Sequence, residues 1–391
     1  MMRNKKVDII SLFFLLGPFL DVASFLGLGE PLSISMIVRT LFLGVLTVLL
    51  LKKKDGWKQV LGIVVVCAAL FGYSYFFLKQ GLSTSLSSTL KLIYLPVVFL
   101  YFKNYDWNGE KNKVLEIILF TYLIIFVMSY LLGIGADAYL ETDGKSGFKG
   151  LFSSINEFSA IVVSLLFFVG CALKKEKQYI RLILLLILSV TVSLLIGTKV
   201  LLGGILFTLM YFAFLERKKL FFERSLKVKC IIISAILLAV MGGAFLFTKT
   251  RTYQNMKIQQ TFFQANNIFS YDFMNRVLFN DRLTFLKDNF DYYKDQSIPR
   301  QLFGIGILED DVKMVEIDFF DILFRYGIIS FILFVGTFIW LIPWRKLQVE
   351  SLISIILLIL ISCTSGHVLF YPAVCIYFGC FSTFLKEDNK N

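Results

Sequence analysis

Charge is what this 391-residue sequence has least of: Asp, Glu, Lys and Arg together make up 17%, against 57% hydrophobic residues and 42 Phe. Soluble domains carry about a quarter charged residues, so a soluble enzyme of this length is excluded and a polytopic α-helical membrane protein is expected. Histidine occurs once, at His367. The six Cys (67, 171, 230, 363, 375 and 380) fall in apolar segments without paired loop spacing. They read as buried thiols, and neither a disulfide framework nor a metal site is indicated. No Asp-x-Asp pair or His/Cys cluster suggests a metal or another cofactor. No cleavable signal peptide is expected, because the first apolar run continues past any small-residue cleavage site. An internal repeat, a long central cytoplasmic loop and a Gly-Asp-Arg signature are also missing, which argues against a major-facilitator transporter.

What is present is a series of membrane-length apolar runs. Twelve are expected as spans, near 8–27, 32–51, 58–78, 86–102, 114–134, 151–173, 180–197, 199–215, 229–248, 315–342, 348–365 and 367–385. Each approaches the roughly 20 residues that cross a hydrocarbon core. The net charge of +12 sits mostly in short loops such as KKKDGWK, KKEKQYIR and PWRK. That is the positive-inside signal rather than a nucleic-acid surface, and it places both termini in the cytoplasm. Parity then puts the polar stretch 249–313 outside. The expected organisation is a first bundle over 1–248, an extracytoplasmic loop over 249–313, and a last bundle with cytoplasmic tail over 314–391.

Ionisable residues inside spans are costly, and each is a functional candidate. They are Asp21, Arg39, Lys91, Glu157, Lys199, Glu316, Asp318, Asp321 and Arg325, with His367 opening the last span. All fall toward the outer ends of their helices, which describes a bowl opening outward rather than a path across the membrane. Structural roles compete with this reading. Asp21 and Arg39 could be a helix–helix pair, Lys91 could snorkel, and Lys199 could cap a helix C-terminus. Asn156 and Glu157 could pack helices through hydrogen bonds, Glu316 could be an N-terminal charge, and His367 could be interfacial. On the tenth span Asp318, Asp321 and Arg325 lie within about 60° on one face, and Asp321 and Arg325 can pair at i, i+4.

Three strings carry a family resemblance: GFKGLFSSINEFSA (147–160), FNDRLTFLKDN (279–289), and FGIGI (303–307) followed by a helix containing RYGIISFIL. With them the chain resembles the Wzy-type polysaccharide polymerases and O-antigen ligases, members of the lipid-dependent (GT-C) glycosyltransferase class. One departure matters. The ligases carry His-Asn eleven residues before the helix glycine, where this chain has Glu316 and Ile317 before Gly327. This favours the polymerase branch.

The resemblance implies transfer of a glycan from undecaprenyl diphosphate to a lipid-linked acceptor at the outer face of a bacterial plasma membrane. A chain-length regulator and a flippase of the same pathway would be partners. Diphosphate is already a good leaving group, so the chemistry needs charge stabilisation, for which guanidinium groups are suited. Arg282 leads the candidates, with Arg276, Arg39 and Lys199 behind it. Lys91, Asn156, Glu157, Arg325 and His367 would line the substrate site. A carboxylate must take the acceptor proton; Glu316 is the first choice and Asp318 the second. Metal-independent inverting transfer is expected. Tyr253, Phe262, Phe263, Tyr271, Tyr292 and Tyr293 could stack on sugars or anchor at the interface. The alternatives are a ligase, a flippase or exporter, and a non-catalytic partner in envelope assembly.

Overall fold

A computed structural model describes residues 9–27, 34–104, 110–137, 147–217, 281–306, 314–366 and 368–385, with isolated positions 253, 271, 275 and 279. It is all-α apart from a two-stranded antiparallel pairing of Ala136–Asp137 (β1) with Phe148–Gly150 (β2). The helices are α1 (Ile9–Leu26), α2 (Ile34–Leu51), α3 (Gly56–Gly72), α4 (Leu82–Asn104), α5 (Lys111–Leu131), α6 (Ile155–Lys175), α7 (Tyr179–Ile196), α8 (Lys199–Arg217), α9 (Arg282–Lys294), α10 (Ile298–Phe303), α11 (Asp318–Leu341), α12 (Val349–Thr364) and α13 (Pro372–Phe381). Among the described residues nine helices, α1 to α8 and α11, are long and apolar enough to cross a membrane. The chain is an all-α, polytopic membrane protein.

At the C-terminal end the helices are shorter than the apolar runs that contain them. The run at 348–365 forms a helix of 16 residues, and that at 367–385 one of only 10. At 1.5 Å per residue the latter is about 15 Å long, half a bilayer core. Hydropathy does not register the cause. Pro372 stands at the first helical position, which suits its fixed φ and missing N–H. Tyr371 before it is extended (φ −101°, ψ 118°), as the proline ring requires. All ten residues of α13 are buried. The expected span 229–248 lies outside the described residues.

The chain forms two compact units. One comprises 1–118, 152–161 and 268–391, and the other 119–151 and 162–267. In the second, Gly197 (φ 79°) closes α7 by donating its N–H to the Ser193 carbonyl. Lys199 therefore opens α8 rather than capping α7. In the first unit, α4 packs on α2, α3, α11 and α13. Its polar end, STSLSST, bonds back on itself: the Ser88 and Thr89 hydroxyls donate to the carbonyls of Thr84 and Ser85. Such i−4 bonds satisfy hydroxyls that a membrane interior cannot solvate. By contrast, α3 exposes most of its length. It continues through a π-helical turn, Tyr73–Phe77, closed by the Leu78 N–H on the Tyr73 carbonyl at 3.1 Å.

The turn of greatest consequence is inside α11. Gly327 adopts φ 80°, ψ 172°, which breaks the helix in two. Breaking a membrane helix frees carbonyls that must find new donors. Here the Gly304–Gly306 loop supplies them: Ile305 N–H donates to the Phe324 carbonyl and Gly306 N–H to that of Arg325, each at 3.0 Å. The two backbones meet so closely that a Cβ on Gly304 would stand 2.0 Å from the Arg325 oxygen. One on Gly327 would stand 2.3 Å from the Leu302 oxygen. The Gly-x-Gly string and the helix glycine are the two halves of one joint.

Candidate functional site

The candidate site lies wholly in the first unit, where α9, the start of α11 and the turn after α12 converge. Asp281, in the left-handed region (φ 66°), precedes Arg282 and opens α9. Asn275 fixes this start: its Oδ1 accepts the Leu283 N–H at 2.9 Å and its Nδ2 donates to Thr284 Oγ1 at 2.7 Å. The helix thereby projects Arg282, only 7% exposed, toward α11 and the end of α12. Arg282 Nη2 pairs with Glu316 Oε2 at 2.9 Å and also donates to the Ser365 carbonyl at 3.2 Å. Its Nη1 donates to the Thr364 carbonyl, while Nε is buried without a hydrogen-bond partner. Asn156 Nδ2 donates to the same Ser365 carbonyl at 2.6 Å.

Glu316 is the exposed member of the pair, with its side chain 27% accessible against 9% for Arg282. It holds φ 58° immediately before α11, a conformation costly for a non-glycine residue. Gly366 (φ 64°) makes room, since a Cβ there would stand 2.6 Å from the Glu316 carbonyl oxygen. Strain and ion pair together aim one carboxylate oxygen at Arg282 and leave Oε1 without a hydrogen-bond donor among the described residues.

Asp318 and Asp321 face inward and accept hydrogen bonds from backbone N–H groups. Asp318 is fully buried, and its Oδ2 accepts the N–H groups of Val368 and Leu369 at 2.7 and 2.8 Å. It fixes the loop that leads to α13. Asp321 Oδ1 accepts the Val315 N–H at 3.1 Å, bracing the chain before its own helix, and Oδ2 is buried without a hydrogen-bond partner. The expected Asp321–Arg325 ion pair is not formed, because Asp321 is turned back to the backbone. Arg325 stays within its electrostatic reach.

A second group of charges gathers nearby. Asp21 and Arg39 form an ion pair between α1 and α2. Glu157 lies in the field of Asp21, Arg39, Lys91 and Asp318. Lys91 is coupled to Glu157 and Arg325, with its ammonium 5.3 Å from the centre of the Tyr371 ring. Neither Lys91 nor Arg325 donates a side-chain hydrogen bond to any described residue. The structure thus brings together Asp21, Arg39, Lys91, Asn156, Glu157, Arg282, Glu316, Asp318, Asp321 and Arg325. Lys199 belongs to the other unit, and Arg276 and His367 lie outside the described residues.

Several contributors escaped the sequence reading. The carbonyls of Thr364 and Ser365, and the glycine after them, carry no side-chain signal. Tyr371 could have been suspected from its place before Pro372 in SGHVLFYP. Asn275 could have been suspected as a polar residue preceding a helix start. Of the aromatic candidates, Tyr293 is buried, with its hydroxyl donating to the Gln301 carbonyl and its ring 5.2 Å from that of Phe324. Burial pushes its phenol above the ordinary range. It belongs to a small core with Ile305, Val315 and Ile317 rather than to an open sugar platform.

A buried ion pair on a strained backbone, near two cations without side-chain hydrogen bonds among the described residues, marks a charged site in a membrane protein. Comparison with protein families identifies it more closely. The family described as O-antigen ligase like membrane protein matches residues 3–271 and 264–388, and the chain belongs to that family. No curated protein and no solved structure matches the chain.

Proposed function

We propose that the protein is a polysaccharide polymerase. It would join oligosaccharide repeat units carried on undecaprenyl diphosphate, at the outer face of a bacterial plasma membrane with both termini cytoplasmic and 249–313 outside. Family membership supports an enzyme of the O-antigen ligase and polymerase type. The observation that carries the finer reading is Glu316, a half-exposed carboxylate with one oxygen paired and the other open.

In this mechanism the acceptor hydroxyl oxygen attacks the anomeric carbon as the bond to the diphosphate oxygen breaks. The electron pair leaves with the diphosphate, and the hydroxyl proton passes to Glu316 Oε1. Inversion at the anomeric carbon follows from one displacement, and guanidinium, ammonium and carboxylate groups supply every charge the step requires. The hydrogen bonding supports a different division of labour among the cations. Arg282 spends its terminal nitrogens on Glu316, Thr364 and Ser365, so its task is to position the base. Arg39 is engaged with Asp21. Arg325 and Lys91 are therefore assigned to the departing diphosphate, where preorganised charge is worth most. Asp318, occupied by two backbone N–H groups, is a scaffold rather than a second base.

Analysis of lipid-linked intermediates in cells lacking the protein tests the reading. Single repeat units are expected to accumulate. Long lipid-linked chains would instead identify a ligase, and an unchanged profile would end the catalytic proposal.

A further inference from the structure

We infer that α3, α4 and α11 form a lateral groove for the isoprenoid chain of a polyprenyl diphosphate, whose headgroup rests on Lys91 and Arg325. The inference rests on the proposed function for the identity of the diphosphate, and on separate observations for the place of the chain.

The groove has a volume of about 260 Å³ and is lined by residues that include Gly62, Val66, Leu92, Pro96, Ser330 and Phe334. It lies within three helices that are each long and apolar enough to span. A bilayer would therefore surround it with hydrocarbon, and an apolar chain could enter from the side. Gly62 faces open space: a Cβ built there meets nothing within 4 Å, so a larger side chain at this position would extend into the groove.

The occupant is argued from what stands at one end. On α4 the lining begins at Leu92, the residue after Lys91. On α11 it begins at Ser330, five residues and about 7.5 Å of helix rise past Arg325. Both cations thus sit at the same end of the groove, electrostatically coupled to each other. Glu157 and Asp321 offset part of this positive charge, and an anion held between the two cations would offset more of it. Two cations suit a diphosphate better than the single negative charge of a phosphodiester. That end is also tied to the Gly304–Gly327 joint, because the Tyr73 hydroxyl donates to the Gly304 carbonyl at 3.1 Å and the two rings of Tyr73 and Phe303 lie 5.4 Å apart. The groove has room for a few isoprene units, and the remaining chain would lie in lipid.

Native mass spectrometry of the purified full-length protein, given undecaprenyl diphosphate, undecaprenol or phosphatidylglycerol in turn, tests the site. The wild type is expected to retain undecaprenyl diphosphate at least tenfold better than either other lipid. Gly62→Phe is expected to lower that retention tenfold or more. Gly44→Phe on α2, also built into open space, should leave it unchanged. Thr337→Phe fills the groove from its opposite wall if the Gly62 variant folds poorly. A double variant, Lys91→Gln with Arg325→Gln, should bind the diphosphate no better than undecaprenol. Equal retention by Gly62→Phe, Thr337→Phe and Gly44→Phe, or equal binding of phosphatidylglycerol by the wild type, overturns the groove. Glu316→Gln separates the two readings: if it stays active while Gly62→Phe loses lipid, the base assignment falls and the groove stands.

Discussion

Arg282 and Arg325 lie in the same compact unit and do opposite things. The first is buried and bonded to a carboxylate and two carbonyls. The second is half-buried, coupled to Lys91 and Asp321, yet bonded through its side chain to no described residue. A guanidinium with all its acceptors inside the protein is a strut. One that faces the same cluster without acceptors is available to a ligand. The difference teaches that a buried charge marks a site without saying which charges touch the substrate.

The largest effect is expected at the carboxylate on which the strut acts. Glu316→Gln keeps a hydrogen-bond acceptor for Arg282 but removes the base, and should lower polymerisation by about 10³-fold, within the usual range for a lost acid–base group. Its melting temperature should fall, though by less than in Arg282→Gln, because the amide oxygen still accepts from Arg282 while the countercharge is lost. Polymer formed from purified lipid-linked repeat units reads the first quantity and a thermal melt in detergent the second. Next comes the contrast itself. Arg325→Gln is expected to cost about 10²-fold in turnover with the fold intact, and Arg325→Lys to recover part of it. Arg282→Gln should instead destabilise by about 3 kcal/mol, because it leaves a partner charge and carbonyls unpaired. If Arg282→Gln left the melt unchanged while Arg325→Gln lowered it, the comparison would be reversed.

The joint between Gly304 and Gly327 offers a smaller, purely structural test. Gly327→Ala forces a Cβ against the Leu302 oxygen and the Gly304 nitrogen, at 2.3 and 2.5 Å, on a residue with φ 80°. Both obstacles are backbone, so the joint must open. A loss of about 2 kcal/mol is expected from the strain alone, read as a lower melting temperature. Turnover should fall with it, because Arg325 lies two residues away on the segment the joint holds.

The legibility of this molecule divides along similar lines. Hydropathy located every long helix among the described residues, because burying an apolar stretch in lipid is decided residue by residue. At 367–385 the helix is shorter than the apolar run, because the Val368 and Leu369 N–H groups donate to Asp318 Oδ2 and a proline stands at the helix start. The wheel of the tenth span correctly placed Asp318, Asp321 and Arg325 on one face. The pairing failed because Asp321 sits in the first turn of its helix, where backbone N–H groups before the helix compete for the carboxylate. The Gly-x-Gly string and Gly327 could be seen separately. Their meeting could not, since nothing in a glycine names its partner.

The smallest expected effect sharpens the comparison from the other side. Asp21 and Arg39 are paired between adjacent helices with side chains 11% exposed, so the pair resembles the Arg282 strut more than the Arg325 cation. A double-mutant cycle of Asp21→Asn and Arg39→Gln should give a coupling of about 1 to 2 kcal/mol in thermal stability. Turnover should change less than tenfold in either single variant. Glu157 lies in the field of both members, so their charges largely cancel at its carboxylate while paired. Removing only Asp21 exposes Glu157 to Arg39 alone, and removing only Arg39 exposes it to a second carboxylate. The two single variants should therefore move turnover in different directions, and the double variant should lie between them. Equal losses in both, undiminished in the double variant, would mean that Arg39 itself contacts the diphosphate and belongs with Arg325.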